Sequence, residues 1–192
     1  MAFVVADALK LECLREAQVV AGHEGLNNEI RFVNVMEVPD ISDWITGYEL
    51  LLTTGYPYRD LKGAWKELIT ALEEGKLSAF AIKPDRFIKR IPKEILEAGN
   101  RLSIPIIELP PRARFDVIIR DIMREIINRD YKTIKKSFEI HRQFTDLILS
   151  GGGVEDIANI LARLTSSHVV ITDDNNRKEA NGKLAFHPIN KN

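Results

Sequence analysis

An α/β fold, with a mostly parallel sheet and flanking helices, is the expectation this chain raises; a long connector helix and an incomplete second domain follow it. Three observations carry that expectation. Short apolar or β-branched runs alternate with helical stretches through the first 110 positions, the pattern of parallel strands joined by right-handed crossovers. One run, Leu50-Leu51-Leu52-Thr53-Thr54, has no polar alternation, as suits a strand covered on both faces. From Phe115 the strands stop and helical spacing takes over.

Taken in order, Asp7–Arg15 is the first expected helix, with Asp7 as its N-cap and Leu9, Cys13 and Leu14 at helical spacing. Gln18–Ala21 is a β-type run closed by Gly22. His23-Glu24-Gly25 and Asn27-Asn28 mark turns, and Ile30–Val38 reads as a strand broken by Pro39-Asp40. A helical turn is expected over Ser42–Ile45, and then the Leu50–Thr54 strand, ended by Gly55. Leu61, Trp65, Leu68 and Leu72 share one helix face, with Asp60 as cap and Gly75 as terminator. Leu77–Ile82 is a strand stopped by Pro84. Pro92 suits a first helical position, ahead of Ile95, Ala98 and Leu102. Ile104–Leu109 is a strand whose Pro105 points to its first residues or to an edge. Helical spacing runs through Phe115, Ile119, Ile122 and Ile126 to Asn128. A second stretch, Tyr131–Leu149, ends at Gly151-Gly152-Gly153. Val154–Leu164 is a helix, His168–Thr172 a strand, and Asn181-Gly182 a turn in a polar tail. The expected organisation is therefore a domain over 1–128, a helical connector over 129–153, and the start of a truncated domain over 154–192.

Composition narrows the function classes. Of 192 residues, 45% are hydrophobic and 29% charged, which sets disorder and fibrous repeats aside. Lys and Arg number 27 against 28 Asp and Glu, for a formal charge of −1; a nucleic-acid-gripping domain is usually far more basic. Between Arg112 and Arg142 there are nine Lys or Arg against five Asp or Glu, interleaved as on a solvated helix face. The N-terminus lacks the basic-then-apolar pattern of a signal peptide, and no apolar run approaches the ~20 residues of a membrane span. A cytoplasmic protein without membrane contact is expected. One cysteine, Cys13, cannot form an internal disulfide; its place on an apolar helix side reads as a buried, inert thiol.

No phosphate-binding loop, dinucleotide fingerprint or paired-histidine metal motif occurs. His23, His141, His168 and His187 are far apart in sequence, so no metal and no cofactor are expected. The segment Gly47-Tyr48-Glu49-Leu50-Leu51-Leu52-Thr53-Thr54-Gly55 holds the most chemistry. Thr53 and Thr54 fall near a strand's carboxyl end, where open α/β sheets bind ligands. They line a small-molecule pocket, or they shape the strand exit while Glu49 caps a nearby turn. Gly22-His23-Glu24-Gly25 is a binding loop or a tight turn between strands. Trp44 and Trp65 read as core residues. The candidate ligand set is Glu49, Thr53, Thr54 and Gly55 with Gly22, His23 and Gly25, gathered in one place.

Several words of this sequence resemble the N-terminal domain of purine catabolism regulator (PucR-type) bacterial transcription factors. They are Ala17-Gln18-Val19-Val20-Ala21-Gly22 with Gly25-Leu26; Glu37-Val38-Pro39-Asp40 with Asp43-Trp44-Ile45; Glu49-Leu50-Leu51-Leu52-Thr53-Thr54-Gly55; and Pro105-Ile106-Ile107-Glu108-Leu109-Pro110 ahead of Phe115. They cover Asp7 to about Ile127 in the family's order. His141–Leu147 and the glycine run look like that family's linker into a middle domain. The resemblance implies a cytoplasmic regulator whose first domain senses a signal or a partner, and whose DNA-binding helix-turn-helix lies at the C-terminus. Tyr48 stands where the family commonly has a second glycine, which crowds the turn. Arg163–Asn192 offers no two-helix recognition unit, so this chain is not expected to bind an operator.

Three functions follow as expectations. The first is a signal-input domain for a small nitrogenous metabolite or a protein partner. The second is a ligand-free dimerisation module. The third is a small enzyme using Glu49 or Glu37 as base, which lacks any nucleophile–base pair. A homodimer is expected because Ile134, Phe138, His141, Thr145 and Ile148 recur at spacings of four and three, the rhythm of a coiled coil. Ile140, Phe144 and Leu147 make a second, offset stripe. The expected interface is Ile134, Phe138, His141, Phe144 and Ile148.

Overall fold

The structure is a computed structural model that describes residues 2–36, 38, 45–59, 64–84, 87–174 and 178–182. The expected turn over Ser42–Ile45, the Asp60 cap, Leu61, Trp44 and Glu37 lie wholly or mainly outside the described residues. The chain divides into two compact units, residues 1–131 and 132–192.

In the first unit, β1 (Gln18–Ala21), β2 (Phe32–Val35), β3 (Glu49–Thr53), β4 (Leu77–Ile82) and β5 (Ile106–Glu108) form one sheet in the order β1-β5-β4-β3-β2. Strands β2 to β5 pair in parallel, and β1 lies antiparallel at the edge beside β5. Successive side chains of a strand point to opposite faces, and the core sorts accordingly. Leu51, Phe80, Ile82 and Ile106 face one cluster with Leu68 and Leu72 of α2 (Ala64–Glu73) and Ile95 and Ala98 of α3 (Lys93–Leu102). Leu50, Leu52, Ala79, Ala81 and Ile107 face the other, with Val5 and Ala8 of α1 (Val5–Ala8) and Ile118 and Ile122 of α4 (Phe115–Leu149). The result is a three-layer α/β/α sandwich with a mostly parallel sheet. Its central strands β3 and β4 are buried along their whole length.

Several elements differ from expectation. The first helix is only Val5–Ala8, followed by a 3₁₀ turn at Glu12–Leu14. The N-terminal segment is instead held by residues 28–30: Val5 donates to the Asn28 carbonyl at 3.0 Å and Ile30 donates to the Phe3 carbonyl at 2.8 Å. Asp7 sits inside the helix, and Val4 is at the N-cap position. The Asp7 carboxylate pairs with Arg129 at 2.9 Å and Lys10 at 3.2 Å. Burial pushes that carboxyl up, but these two hydrogen bonds outweigh it and hold it below its ordinary value. The strand expected over Ile30–Val38 is confined to Phe32–Val35. Gly22–Gly25 opens a 3₁₀ turn over His23–Asn27, not a tight hairpin. Pro92 precedes the first helical residue by one position. The two helical stretches after Phe115 are a single helix, because Asn128-Arg129-Asp130 contains no residue that breaks one. Trp65 is half-buried, stacked on Tyr58 with ring centroids 4.1 Å apart, while Leu68 and Leu72 are fully buried. Leu68→Ala is expected to cost ~2–5 kcal/mol, the range for a buried large-to-small change. A loss under about 0.5 kcal/mol in denaturant unfolding, typical of surface sites, would contradict this packing.

In the second unit, α5 (Val154–Thr165) packs on the antiparallel pair β6 (Val169–Thr172) and β7 (Lys178–Gly182). Asn181-Gly182, expected as a turn, closes β7. Its glycine serves close approach: a Cβ there would lie 2.0 Å from the Ala158 carbonyl oxygen of α5.

Candidate functional site

In a parallel sheet the two edges differ: strands begin at one and end at the other. Thr53, Thr54 and Gly55 lie at the carboxyl edge. Thr53 is fully buried and its Oγ1 accepts the Gly55 N–H at 3.1 Å; Thr54 Oγ1 accepts the Tyr56 N–H at 3.4 Å. Gly55 has φ 78° and opens the turn Tyr56–Tyr58. These hydroxyls therefore shape the strand exit.

Glu49, at the start of β3, lies roughly 13 Å from Thr53 along the strand, at ~3.3 Å per residue. It is 1% exposed. Its carboxylate accepts the Thr46 N–H at 2.9 Å, the Thr46 hydroxyl at 3.1 Å and the Asn34 amide at 2.8 Å. Three donors offset the cost of burying a charge, and they tie the 46–49 turn to β2. Tyr48 in that turn has φ 61°, a left-handed conformation that favours glycine. The Arg31 guanidinium lies 4.1 Å over its ring.

Gly22–Gly25 also lies at this amino edge, beyond the end of antiparallel β1. Cβ atoms at Gly22 and Gly25 would fall 2.0 Å from the Ile104 oxygen and 1.9 Å from the Ser103 oxygen. The Gly22 N–H donates to Asn100 at 2.7 Å, and His23 is exposed. The structure thus places Gly22, His23, Gly25 and Glu49 at one edge and Thr53, Thr54 and Gly55 at the other, and the single pocket expected from them does not form. The topology explains why. A crevice opens beyond strand ends where neighbouring connections leave to opposite faces. The connections after β3 and β4 lead to α2 and α3 on the same face. Opposite departures occur only between β4 and β5, and there Lys83 Nζ donates to the Ala113 carbonyl at 2.9 Å.

The amino edge does carry a cleft of about 560 Å³, between the 46–48 turn and the C-terminal ends of α2 and α3. Asn28 spans its floor, donating to the Ser78 carbonyl at 3.1 Å and the Ser103 carbonyl at 3.0 Å. The Ser78 hydroxyl donates to the Glu29 carbonyl. Asn28 and Gly75 read as turn signals in the sequence, but no local pattern brings Ser78 and Ser103 beside them. A smaller groove of about 440 Å³ lies at the other edge, lined by Cys13, Arg15, Arg112 and Arg114 among others. Cys13 is half-buried there, not buried. Burial, then the Asp121 charge, raises its thiol above the ordinary value, which lowers its reactivity. Among the described residues no cluster of His, Cys, Asp and Glu could hold a metal ion, and no helix is long and apolar enough to cross a membrane.

In the second unit the two apolar stripes separate. Ile140, Phe144 and Leu147 are half-covered. Ile134, Phe138 and Ile148 are 55%, 71% and 68% exposed, with exposed His141 and Thr145 between them. Phe144, placed in the expected interface, belongs to the covered stripe.

The match along residues 7–126 shows that this chain belongs to the purine catabolism regulatory protein-like family. Among individual relatives, it is 30% identical over 169 residues to the purine catabolism regulatory protein of Bacillus subtilis (strain 168), covering 88% of this chain and 32% of that one. It is 25% identical over 105 residues to the transcriptional activator PmfR of Paenarthrobacter nicotinovorans, covering 55% of this chain and 22% of that one. The chain thus spans about a third or less of the length of these curated relatives, both named as regulators. A solved structure of the CBS and DRTGG domains of the regulatory region of Clostridium perfringens pyrophosphatase, complexed with diadenosine tetraphosphate, aligns over 93% of this chain and 70% of that one. Its TM-score is 0.42 at 17% identity, a likeness that carries no argument about function.

Proposed function

We propose that this chain is the signal-input part of a cytoplasmic transcription regulator, answering to a small nitrogenous metabolite of the purine type and working as a homodimer. The observation that carries the reading is family membership over residues 7–126, with a purine catabolism regulatory protein among the relatives. The amino-edge cleft supports it, since its volume lies in the range that takes small molecules. A thermal-shift screen with purines and their breakdown products tests it. The expected result is saturable stabilisation following RT ln(1 + [L]/Kd), about 2.7 kcal/mol at one hundred times Kd. No shift for any compound up to millimolar concentration would overturn the sensing role.

A second reading, a ligand-free dimerisation module, is favoured by the exposed stripe Ile134, Phe138 and Ile148. It predicts a dimer with a flat ligand screen, so the same screen separates the two.

A further inference from the structure

The amino-edge cleft has an electrostatic sign. Helices α2 and α3 both end at it: Leu72 and Glu73 from one, and Leu102 with the C-capping Ser103 from the other, form part of its wall. Aligned peptide dipoles leave about half a negative charge at each helix C-terminus. The lining carboxylates Glu29 and Glu73 add to this, although Arg31 and Arg101 pair with them at 3.0 and 2.7 Å. Lys76 is the only Lys or Arg among the lining residues, and it pairs with Glu74 at 2.8 Å.

The cleft also gathers backbone strain. Three described residues other than glycine have positive φ, and two of them, Tyr48 (φ 61°) and Ser103 (φ 53°), line it. Such strain concentrates at binding sites because the surrounding structure must hold it in place. Tyr48 is half-exposed, so a planar ring has an aromatic surface to stack on at the rim.

We propose that this cleft is the ligand site of the input unit, and that it takes a neutral or cationic, planar, nitrogen-rich ring compound whose N–H groups donate to carboxylate and helix-end carbonyl oxygens, and rejects anions. This rests on the sensing role proposed above and adds to it a place and a sign of charge.

The test uses the whole chain with adenine, guanine and hypoxanthine, neutral at pH 7, and urate, an anion. Binding is measured by calorimetry for the chain and for two variants. Glu73→Gln removes a lining charge from an exposed position. Tyr48→Gly removes the ring at a backbone conformation glycine adopts without strain. The expected result is that a neutral base binds at least tenfold tighter than urate, that both variants weaken it at least tenfold, and that their ligand-free melting curves stay close to the parent's. A neutral base that binds both variants as tightly as the parent overturns the cleft while the sensing role stands. Urate binding tighter than every neutral base overturns the sign of charge. No binding by any of the four to the parent chain overturns the proposal for this ligand class. The wider screen then decides the sensing role separately.

Discussion

Gly22→Ala is expected to cost more than ~4 kcal/mol, the level reached only by a few severe mechanisms, or to prevent folding of the first unit. Two costs combine. The backbone there is left-handed, φ 69°, which disfavours any residue with a Cβ by about 1–2 kcal/mol. The added methyl would also sit 2.0 Å from the Ile104 oxygen, 2.4 Å from its carbon and 2.9 Å from the Pro105 nitrogen. All three are backbone atoms, and they lead directly into β5, so they cannot swing aside as a side chain would. Gly75→Ala serves as the comparison. Gly75 has nearly the same φ, 67°, with no other atom within 4 Å of an added Cβ, so only the conformational cost of about 1–2 kcal/mol applies. Denaturant unfolding of both variants isolates the clash as their difference. Equal losses would show that the turn after β1 does not press on the 103–105 segment.

Phe138→Asp is expected to weaken self-association of the chain by at least ~30-fold, the level of an aromatic hot spot at about 2 kcal/mol. Phe138 is 71% exposed, so the charge burdens no internal packing of the second unit. It stands in the proposed seam of Ile134, Phe138, His141, Thr145 and Ile148, where a partner helix would desolvate it. Phe144→Ala on the half-covered stripe should instead lower the stability of that unit. Light scattering across a concentration series reads both. A monomeric mass for the parent chain at ~100 μM sinks the dimer. A dimer untouched by Phe138→Asp sinks this helix face as its seam.

Much of the fold was legible locally. Strands Gln18–Ala21 and Leu77–Ile82 stand at the expected boundaries. Leu68 and Leu72 face the sheet as the helical spacing requires. Gly75 takes the positive φ expected of a helix terminator. These features depend on periods of two and 3.6 residues and on single-residue conformational limits, which a short stretch of chain carries within itself. The first helix was misjudged because Asp7 has the chemistry of a cap, yet Arg129, 122 positions away, takes its carboxylate. Asn181-Gly182 has the composition of a turn, yet the approach of Ala158 calls for the same glycine inside a strand.

The candidate site divides along the same line. That Glu49, Thr53, Gly22 and Gly25 are special positions is written in the residues: a carboxylate beside an apolar run, hydroxyls at its end, glycines where bulk is forbidden. Which of them meet is not. Strand direction and order place Gly22, Gly25 and Glu49 at the amino edge and Thr53 at the carboxyl edge. Because α2 and α3 cover the same face, no crevice opens at the end of β3. The cleft lies at the amino edge, where Asn28, Ser78 and Ser103 converge from three segments separated by up to 75 positions. Patterning acts over a few residues and specifies elements. Pairing order and crossover face are settled by burying both sides of one sheet at once, and that long-range condition locates the cleft.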